Sequence, residues 1–293
     1  MAIARHPSVV TLPAAPLPWP SILEFLARQF PNVPRERWAE RIRDGKVRDE
    51  HGTPITPATA YRPGQRLFYF REVDAEPVIP FAERIVFQND EIVVACKPHF
   101  LPVTPGGNFV EECLLNRLRR RTGINTLAPL HRIDRETAGL VVFSVNPDTR
   151  GRYHDLFMHG QAEKTYDASA MVREPPRERR WTVANRLERG QPRFRMQVVA
   201  GTPNARSIVE LIDVQAECGH FRLTPITGKT HQLRVHMSGL GFPILNDRCY
   251  PDLQPEQDDD FSRPLQLIAR RLRFRDPVTG QDMEFESERQ LLM

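Results

Sequence analysis

The feature that most constrains the fold is a short, uninterrupted apolar run, LVVFSV, at residues 140–145. Its β-branched and aromatic side chains, with no polar alternation, predict a strand buried on both faces. Directly before this run, Asp134 lies between Arg132 and Arg135 at the mouth of the predicted strand. Nearby positive charge favours a carboxylate over the acid. An ionised Asp134 can act as a nucleophile or a general base, although an Arg-Asp-Arg triplet alone is also typical of a structural ion pair.

Strand-like segments outnumber helical ones in the larger, C-terminal part of the chain. We predict strands over residues 84–87, 91–95, 140–145, 164–172, 194–199, 207–215 and 219–224, and helices over 111–121 and 147–158. Apolar residues at positions 233, 237 and 240 predict a further short helix, with Thr230 as its N-cap. Strands with fewer flanking helices indicate an α+β domain with a mixed, largely antiparallel sheet flanked by helices. The acidic residues 252–263 predict an exposed loop.

The sequence of the first part of the chain predicts a separate small module. Prolines recur among the first eighteen residues, which predicts a flexible tail. Ser21 and Glu24 form a capping box that starts a helix, and Gly45 suits the left-handed position that ends a second one. The predicted organisation is a tail at 1–18, a small α/β module at 19–72, a linker at 73–82 and a large domain at 83–293.

A modest excess of positive charge points to a polyanionic partner. The chain has 41 Lys and Arg against 37 Asp and Glu, a net charge of +4, and the basic residues concentrate at 35–48 and 117–121. Such runs form solvated helix faces or contact phosphates. The four cysteines are far apart and no spacing suggests a ligand set, so we predict neither metal nor disulfide. No apolar segment resembles a membrane span or a secretion signal, which predicts a cytoplasmic protein.

Four motifs in a fixed order resemble those of the RluA-type pseudouridine synthases. The HRIDRETAGL segment at 131–140 departs from the family's His-Arg-Leu-Asp-Arg-x-Thr-Ser-Gly-Leu only by Ile133 and Ala138. The others are DEIVVACKP at 90–98, EKTY at 163–166, and TGKTHQLRVH at 227–236 with GFPI and Asp247 after it. The resemblance spans roughly residues 83–287. Residues 19–72 also resemble the ribosomal-protein type of small RNA-binding module that often precedes the catalytic domain in this family.

The resemblance implies both the fold and the activity. It implies the pseudouridine synthase fold and isomerisation of uridine in ribosomal or transfer RNA, without a cofactor. Asp134 is then the catalytic carboxylate, Arg132 the side chain that fills the gap left by the flipped base, Tyr166 the active-site tyrosine, and Arg234 the charge partner of Asp134. We expect RNA contacts from Arg132, Arg135, Lys164, Lys97, Lys229 and His231, and in the module from Arg41, Arg43 and Lys46.

Two other functions stay open at this point. A protein with the same fold could bind RNA without catalysis, and a base-directed nucleosidase would release free uracil. The zinc deaminase signature of His-x-Glu with Pro-Cys-x-x-Cys is absent, which removes one competing base-modifying chemistry. We expect a monomer acting on a uridine-containing stem-loop. The sequence does not decide which uridine reacts, or whether Asp134 attacks the base, attacks the sugar or removes a sugar proton.

Overall fold

The protein divides into two compact units. The computed structural model describes residues 2–4, 7–14, 19–31, 33–174 and 176–292. One unit comprises Met1–Pro77 with Gly106–Glu111, and the other comprises Val78–Pro105 with Glu112–Met293. The described residues contain no helix with the length and apolar character needed to cross a membrane.

The smaller unit packs two helices against a three-stranded antiparallel sheet. Its helices are α1 (Ile22–Gln29) and α2 (Arg35–Arg43), and its strands are β1 (Ala2–Ile3), β2 (Ser8–Thr11), β3 (Val47–Asp49), β4 (Arg66–Tyr69) and β5 (Glu72–Val73). The sheet order is β2-β4-β3, and β1 pairs with β5. Ser21 caps α1, since its Oγ accepts a hydrogen bond from the Glu24 N–H at 3.3 Å. Gly45 follows α2 with φ +68°, as expected.

The prediction of a flexible tail at residues 1–18 is wrong for part of that range. Ser8–Thr11 pairs along its length with β4, and the next residue, Leu12, is fully buried in the core of this unit. The prolines do not interfere because Pro7 and Pro13 lie just outside the strand, where no ladder N–H is needed. Residues 15–18 lie outside the described residues. The predicted linker at 73–82 also includes Val73, which lies in β5, and the buried Ile79.

The larger unit is built on one mixed sheet. Its strands are β6 (Arg84–Gln88), β7 (Ile92–Lys97), β8 (Ala128–Pro129), β9 (Ala138–Ser144), β10 (Glu163–Met171), β11 (Arg180–Arg189), β12 (Met196–Val199), β13 (Ala205–Gln215), β14 (Cys218–Pro225), β15 (Leu267–Arg275) and β16 (Asp282–Glu286). The order is β12-β11-β13-β14-β10-β15-β9-β7-β6, with β16 beside β15 and β8 beside β9. Among the described strands only the β15–β9 pair is parallel, which confirms the predicted mixed, largely antiparallel sheet.

Four strands of this sheet, β8, β11, β15 and β16, were not predicted. In β11, β15 and β16 charged side chains occupy many exposed positions, as in the sequence RWTVANRLER of β11. A strand with one solvent-exposed face contains fewer apolar residues than one buried on both faces, so its sequence predicts a strand less clearly. By contrast β9, predicted from its apolar run, is buried at all its positions.

A close approach of two strands positions the segment that precedes β9. Gly139 pairs with Ala269 of β15, and Ala269 pairs on its other side with Tyr166 of β10. A Cβ atom at Gly139 would collide with the backbone of Ala269, and its φ is +112°. Only glycine fits this position. The contact brings the loop that carries Asp134 beside β10.

The helices of the larger unit are α3 (Leu114–Thr122), α4 (Arg150–Met158) and α5 (Gln232–Gly239). The prediction that Thr230 caps α5 is wrong, because the N-cap is His231, whose side chain makes no capping bond. The Gln232 side chain replaces that cap: its Oε1 accepts from the Lys229 N–H at 3.1 Å and from the Thr227 hydroxyl at 2.7 Å. These bonds fix the entry into α5.

Candidate active site

One cleft of the larger unit gathers most of the predicted site residues. It has a volume of about 560 Å³ and is lined by the loop before β9, by β10, and by the segment leading into α5. That volume suits a small ligand or one nucleotide. The predicted site residues that line it are Arg132, Asp134, Arg135, Lys164, Tyr166, Lys229, His231 and Arg234.

Arg234 connects α5 to Asp134. Its side chain is 1% exposed, and its Nη1 lies 3.4 Å from Asp134 Oδ2. The same guanidinium donates to Asp247 through Nε at 2.8 Å and Nη2 at 2.6 Å. Burial alone would lower the pKa of Arg234, but the hydrogen bond to Asp247 and the charges of Asp247, Asp134 and Glu136 outweigh it and raise the pKa. Arg234 is therefore a permanent cation beside Asp134.

The sequence neighbours of Asp134 are not its charge partners. Arg135 donates to both carboxylate oxygens of Asp259, at 2.6 and 2.9 Å, and to Glu136 at 3.1 Å. Arg132 has an exposed side chain on the cleft wall. The expectation that the flanking arginines hold Asp134 is therefore wrong. The cation comes from α5, one hundred residues away in the sequence.

Tyr166 and Lys164 face the cleft from β10. Two residues apart on one strand, they share a face of the sheet. Burial, followed by the negative charge of Asp134, raises the pKa of the Tyr166 hydroxyl, which therefore keeps its proton. Burial lowers the pKa of Lys164. The cleft thus combines an aromatic ring, a hydroxyl donor and a cation around one carboxylate.

Two histidines of the cleft differ in their surroundings. His231 Nε2 is 4.0 Å from Asp134 Oδ2, and burial lowers its pKa despite the opposing charge of Asp134. The ring of His131 stacks on Phe157 at 4.5 Å, and its Nε2 accepts from the Val142 N–H at 3.2 Å. Burial lowers the pKa of His131 to about 3. His131 is therefore a neutral structural acceptor, whereas His231 faces the carboxylate.

Lys97 was expected to contact RNA, and that prediction is wrong. Its side chain is completely buried at the end of β7. The ammonium donates to the carbonyls of Pro98 at 3.0 Å, Leu101 at 2.6 Å and Arg135 at 2.9 Å. Burial lowers its pKa to about 7. Lys97 thus ties the loop after β7 to the loop that carries Asp134.

The three basic residues expected to bind RNA in the smaller unit differ in exposure and in ion pairing. Arg41 is 6% exposed and contacts Glu72, with Nε at 3.3 Å from its carboxylate, so the prediction for Arg41 is wrong. Lys46 lies 2.8 Å from the same carboxylate, and its side chain is partly exposed. Arg43 is exposed and donates to the Ala39 carbonyl. Of the three, Arg43 is the one whose charge faces solvent without an ion pair in the described structure.

Sequence reasoning assigned no role to three residues of the site. Asp247 is the bidentate partner of Arg234, Glu136 lies 3.7 Å from Arg234, and the Tyr250 hydroxyl lies 3.0 Å from His231. Asp247 was part of the quoted motif, but nothing in its position predicts a bond to a residue thirteen positions earlier. Among the described residues, no group of three or more His, Cys, Asp and Glu side chains is arranged to hold a metal ion.

Comparisons with known proteins point to one family. The family model of RNA pseudouridylate synthases matches residues 91–239. The chain is similar to an uncharacterised RNA pseudouridine synthase of Synechocystis, with 26% identity over 78% of this chain and 79% of the relative. It is also similar to the ribosomal large subunit pseudouridine synthase D of Vibrio vulnificus, with 27% identity over 90% of this chain and 86% of the relative.

A solved structure has the same fold. The human RNA pseudouridylate synthase domain containing 1 superposes with a TM-score of 0.59 and 23% identity, over 73% of this chain and 86% of the human one. The matched family segment includes Asp134, Tyr166 and Arg234, the three residues that the cleft brings together.

Proposed function

The chain belongs to the RNA pseudouridylate synthase family, and we propose that Asp134 is the carboxylate with which it isomerises uridine to pseudouridine. The observation that carries this proposal is the contact between Asp134, 24% exposed in the cleft, and the fully buried cation Arg234. A carboxylate that accepts a hydrogen bond from a fixed guanidinium and still reaches an open cleft is suited to react with a substrate.

The reaction rearranges atoms that the substrate already contains. The bond from ribose to the ring nitrogen breaks, the uracil turns, and the sugar is joined to a ring carbon, whose hydrogen leaves for solvent as the nitrogen gains one. Neither an oxidant nor a second substrate enters this balance. Asp134 acts either as the nucleophile towards base or sugar, or as the base that removes a sugar proton.

The other cleft residues fit the handling of a flipped uridine. A base must leave its stack before a side chain reaches its glycosidic bond. We propose that Arg132 fills the vacated position, because its side chain is exposed on the cleft wall. Tyr166 offers a ring for stacking and a protonated hydroxyl, and Lys164 and Lys229 line the cleft, where we propose that they contact phosphates.

We propose ribosomal or transfer RNA as the substrate, with ribosomal RNA favoured by the similarity to the Vibrio enzyme along most of both chains. All four cysteines are unpaired, which suits a reducing compartment such as the cytoplasm.

The test is to incubate the protein with ribosomal and transfer RNA and to quantify pseudouridine and free uracil. We expect pseudouridine without uracil. Asp134→Asn should lower the rate by at least about 1000-fold, since it removes the reacting group, while circular dichroism and RNA affinity stay unchanged. Asp213→Asn, the same change at an exposed carboxylate of β13, is the matched control and should keep the wild-type rate.

Each other result has a defined meaning. Free uracil would identify a nucleosidase, and RNA binding without either product would identify a non-catalytic RNA-binding protein. Appreciable pseudouridine formation by Asp134→Asn would refute the role given to Asp134 while leaving the activity in place.

A further inference from the structure

Tyr250 does not line the cleft but contacts two residues that do. It is 6% exposed, and its hydroxyl lies 3.0 Å from His231 Nδ1. The same oxygen accepts from the Met196 N–H at 2.7 Å. The guanidinium of Arg234 lies over the tyrosine ring, 5.6 Å from its centroid. Tyr250 therefore contacts both residues that approach Asp134 from α5.

Hydrogen-bond counting assigns the tautomer of His231. A phenol has one proton to donate, and burial, the largest influence, raises the pKa of Tyr250, so this proton is kept. It can go to His231 Nδ1 at 3.0 Å or to the Met196 carbonyl at 3.2 Å. If the proton goes to the Met196 carbonyl, the hydroxyl can only accept from His231, which must then carry its proton on Nδ1. The unprotonated Nε2 then turns its lone pair towards the Asp134 carboxylate, 4.0 Å away. The negative charge of Asp134 disfavours that arrangement.

The first arrangement avoids this repulsion, and the Met196 carbonyl is then the one acceptor beside the hydroxyl that does not receive its proton. Tyr250 donates to His231 Nδ1, and the imidazole carries its proton on Nε2, facing Asp134. The hydrogen bond at one ring nitrogen sets which tautomer the other presents. The distance of 4.0 Å exceeds a hydrogen bond, but catalytic contacts often tighten when the substrate binds.

A strained backbone position and a shared carboxylate hold these residues in place. His231 has φ +51°, in the left-handed region, which is uncommon for a residue with a side chain and is often held at functional sites. Asp247 Oδ1, which binds Arg234, also accepts from the Tyr250 N–H at 3.2 Å. One carboxylate thus fixes both the arginine and the tyrosine.

We propose that Tyr250 is a positioning residue for the isomerisation: its hydroxyl holds His231 in the tautomer that points an N–H at Asp134, and its ring supports Arg234. This inference rests on the proposed role of Asp134. Tyr250 itself does not line the cleft, so it acts through its two neighbours and not on the RNA.

The test is a double-mutant cycle read as the single-turnover rate of pseudouridine formation at saturating enzyme, with RNA affinity measured beside it. Tyr250→Phe should lower the rate about tenfold and leave affinity within about twofold, because one positioning hydrogen bond is lost. In a His231→Gln background, Tyr250→Phe should have no further effect, because its route through His231 is already gone. The matched control is Tyr153→Phe, which removes another buried hydroxyl bond, to Asp276 at 2.7 Å, and should keep the wild-type rate.

A second measurement covers the case in which His231→Gln is inactive. The ¹⁵N NMR spectrum of the imidazoles should show His231, identified by the signal lost in His231→Gln, protonated on Nε2 in the wild type and as mixed tautomers in Tyr250→Phe. Wild-type turnover by Tyr250→Phe, equal effects of this change with and without His231, or protonation on Nδ1 would overturn the proposal. Turnover by Asp134→Asn would instead refute the proposed function, so the two failures are distinguishable.

Discussion

Arg234 and Arg41 occupy closely similar environments in the two units of this protein. Each is buried, each donates to a carboxylate, and each lies over an aromatic ring: Arg234 over Tyr250 at 5.6 Å and Arg41 over Trp38 at 5.1 Å. They differ in the surrounding charge. Arg234 faces Asp134, Glu136 and Asp247, whereas Arg41 shares the single carboxylate of Glu72 with Lys46.

We propose that this difference separates a reactive site from a structural ion pair. The one carboxylate that contacts Arg41, that of Glu72, is buried and already shared by two cations, so it is not left for another partner. Around Arg234 carboxylates outnumber the guanidinium, and one of them, Asp134, reaches the cleft. A buried arginine with several acids therefore indicates function more strongly than a basic cluster in the sequence does.

The largest expected effect comes from removing the charge of Arg234. Arg234→Gln should lower the rate of pseudouridine formation about 100- to 1000-fold, because Asp134 loses its fixed cation. The protein should also lose stability, since Asp247 is left buried without its partner. Single-turnover kinetics on the folded fraction separates the two effects. Wild-type kinetics would show that Arg234, like Arg41, has only a structural role.

The corresponding change in the smaller unit should affect stability alone. Arg41→Gln should cost about 3 kcal/mol of unfolding free energy, because Glu72 keeps only Lys46 as its cation. The rate at saturating RNA should stay at the wild-type value. Urea unfolding and single-turnover kinetics on the same preparation check both statements. A rate loss as large as that of Arg234→Gln would show that the two arginines are functionally alike.

Acid should lower the stability of the larger unit through a buried histidine. Burial lowers the pKa of His131 to about 3, well below the value near 6.5 expected in the unfolded chain. Between these values the unfolded chain binds the extra proton, so stability falls as the pH drops from 6.5. By pH 5 this histidine alone should cost about 2 kcal/mol. The described histidine of the smaller unit, His51, is exposed.

His131→Gln keeps an acceptor for the Val142 N–H but cannot titrate. Urea unfolding at pH 7 and pH 5 should therefore show a smaller acid loss in this variant than in the wild type. An equal loss in both proteins would show that His131 is not the group responsible.

The smallest expected effect concerns the exposed charge of the smaller unit. Arg43→Gln should weaken RNA binding a few-fold and reduce the slope of log affinity against log salt by about 1, if Arg43 contacts one phosphate. Arg41→Gln should leave that slope unchanged, because its charge is already paired. Binding curves at several salt concentrations test both. Unchanged slopes in both variants would mean that the smaller unit contributes no phosphate contact through α2.

The sequence predicted those parts of the fold and the site that local pattern determines. Residues 140–145 showed a buried strand because all their side chains except Ser144 are apolar, and the ordered motifs named Asp134, Tyr166 and Arg234, which line one cleft. Local pattern does not reveal which charges meet in space. Arg135 lies next to Asp134 in the chain yet pairs with Asp259, and Lys97 reads as a surface cation yet is buried among carbonyls.

Three carboxylates face Arg234, and we propose that only Asp134 reacts. The most direct test is the yield of pseudouridine in a single turnover by Asp134→Asn, Glu136→Gln and Asp247→Asn, each with the same loss of one negative charge. The predicted result is no product from Asp134→Asn and slower but measurable product from the other two, in which Arg234 is only less firmly held. Product from Asp134→Asn at a rate similar to the others would contradict the claim.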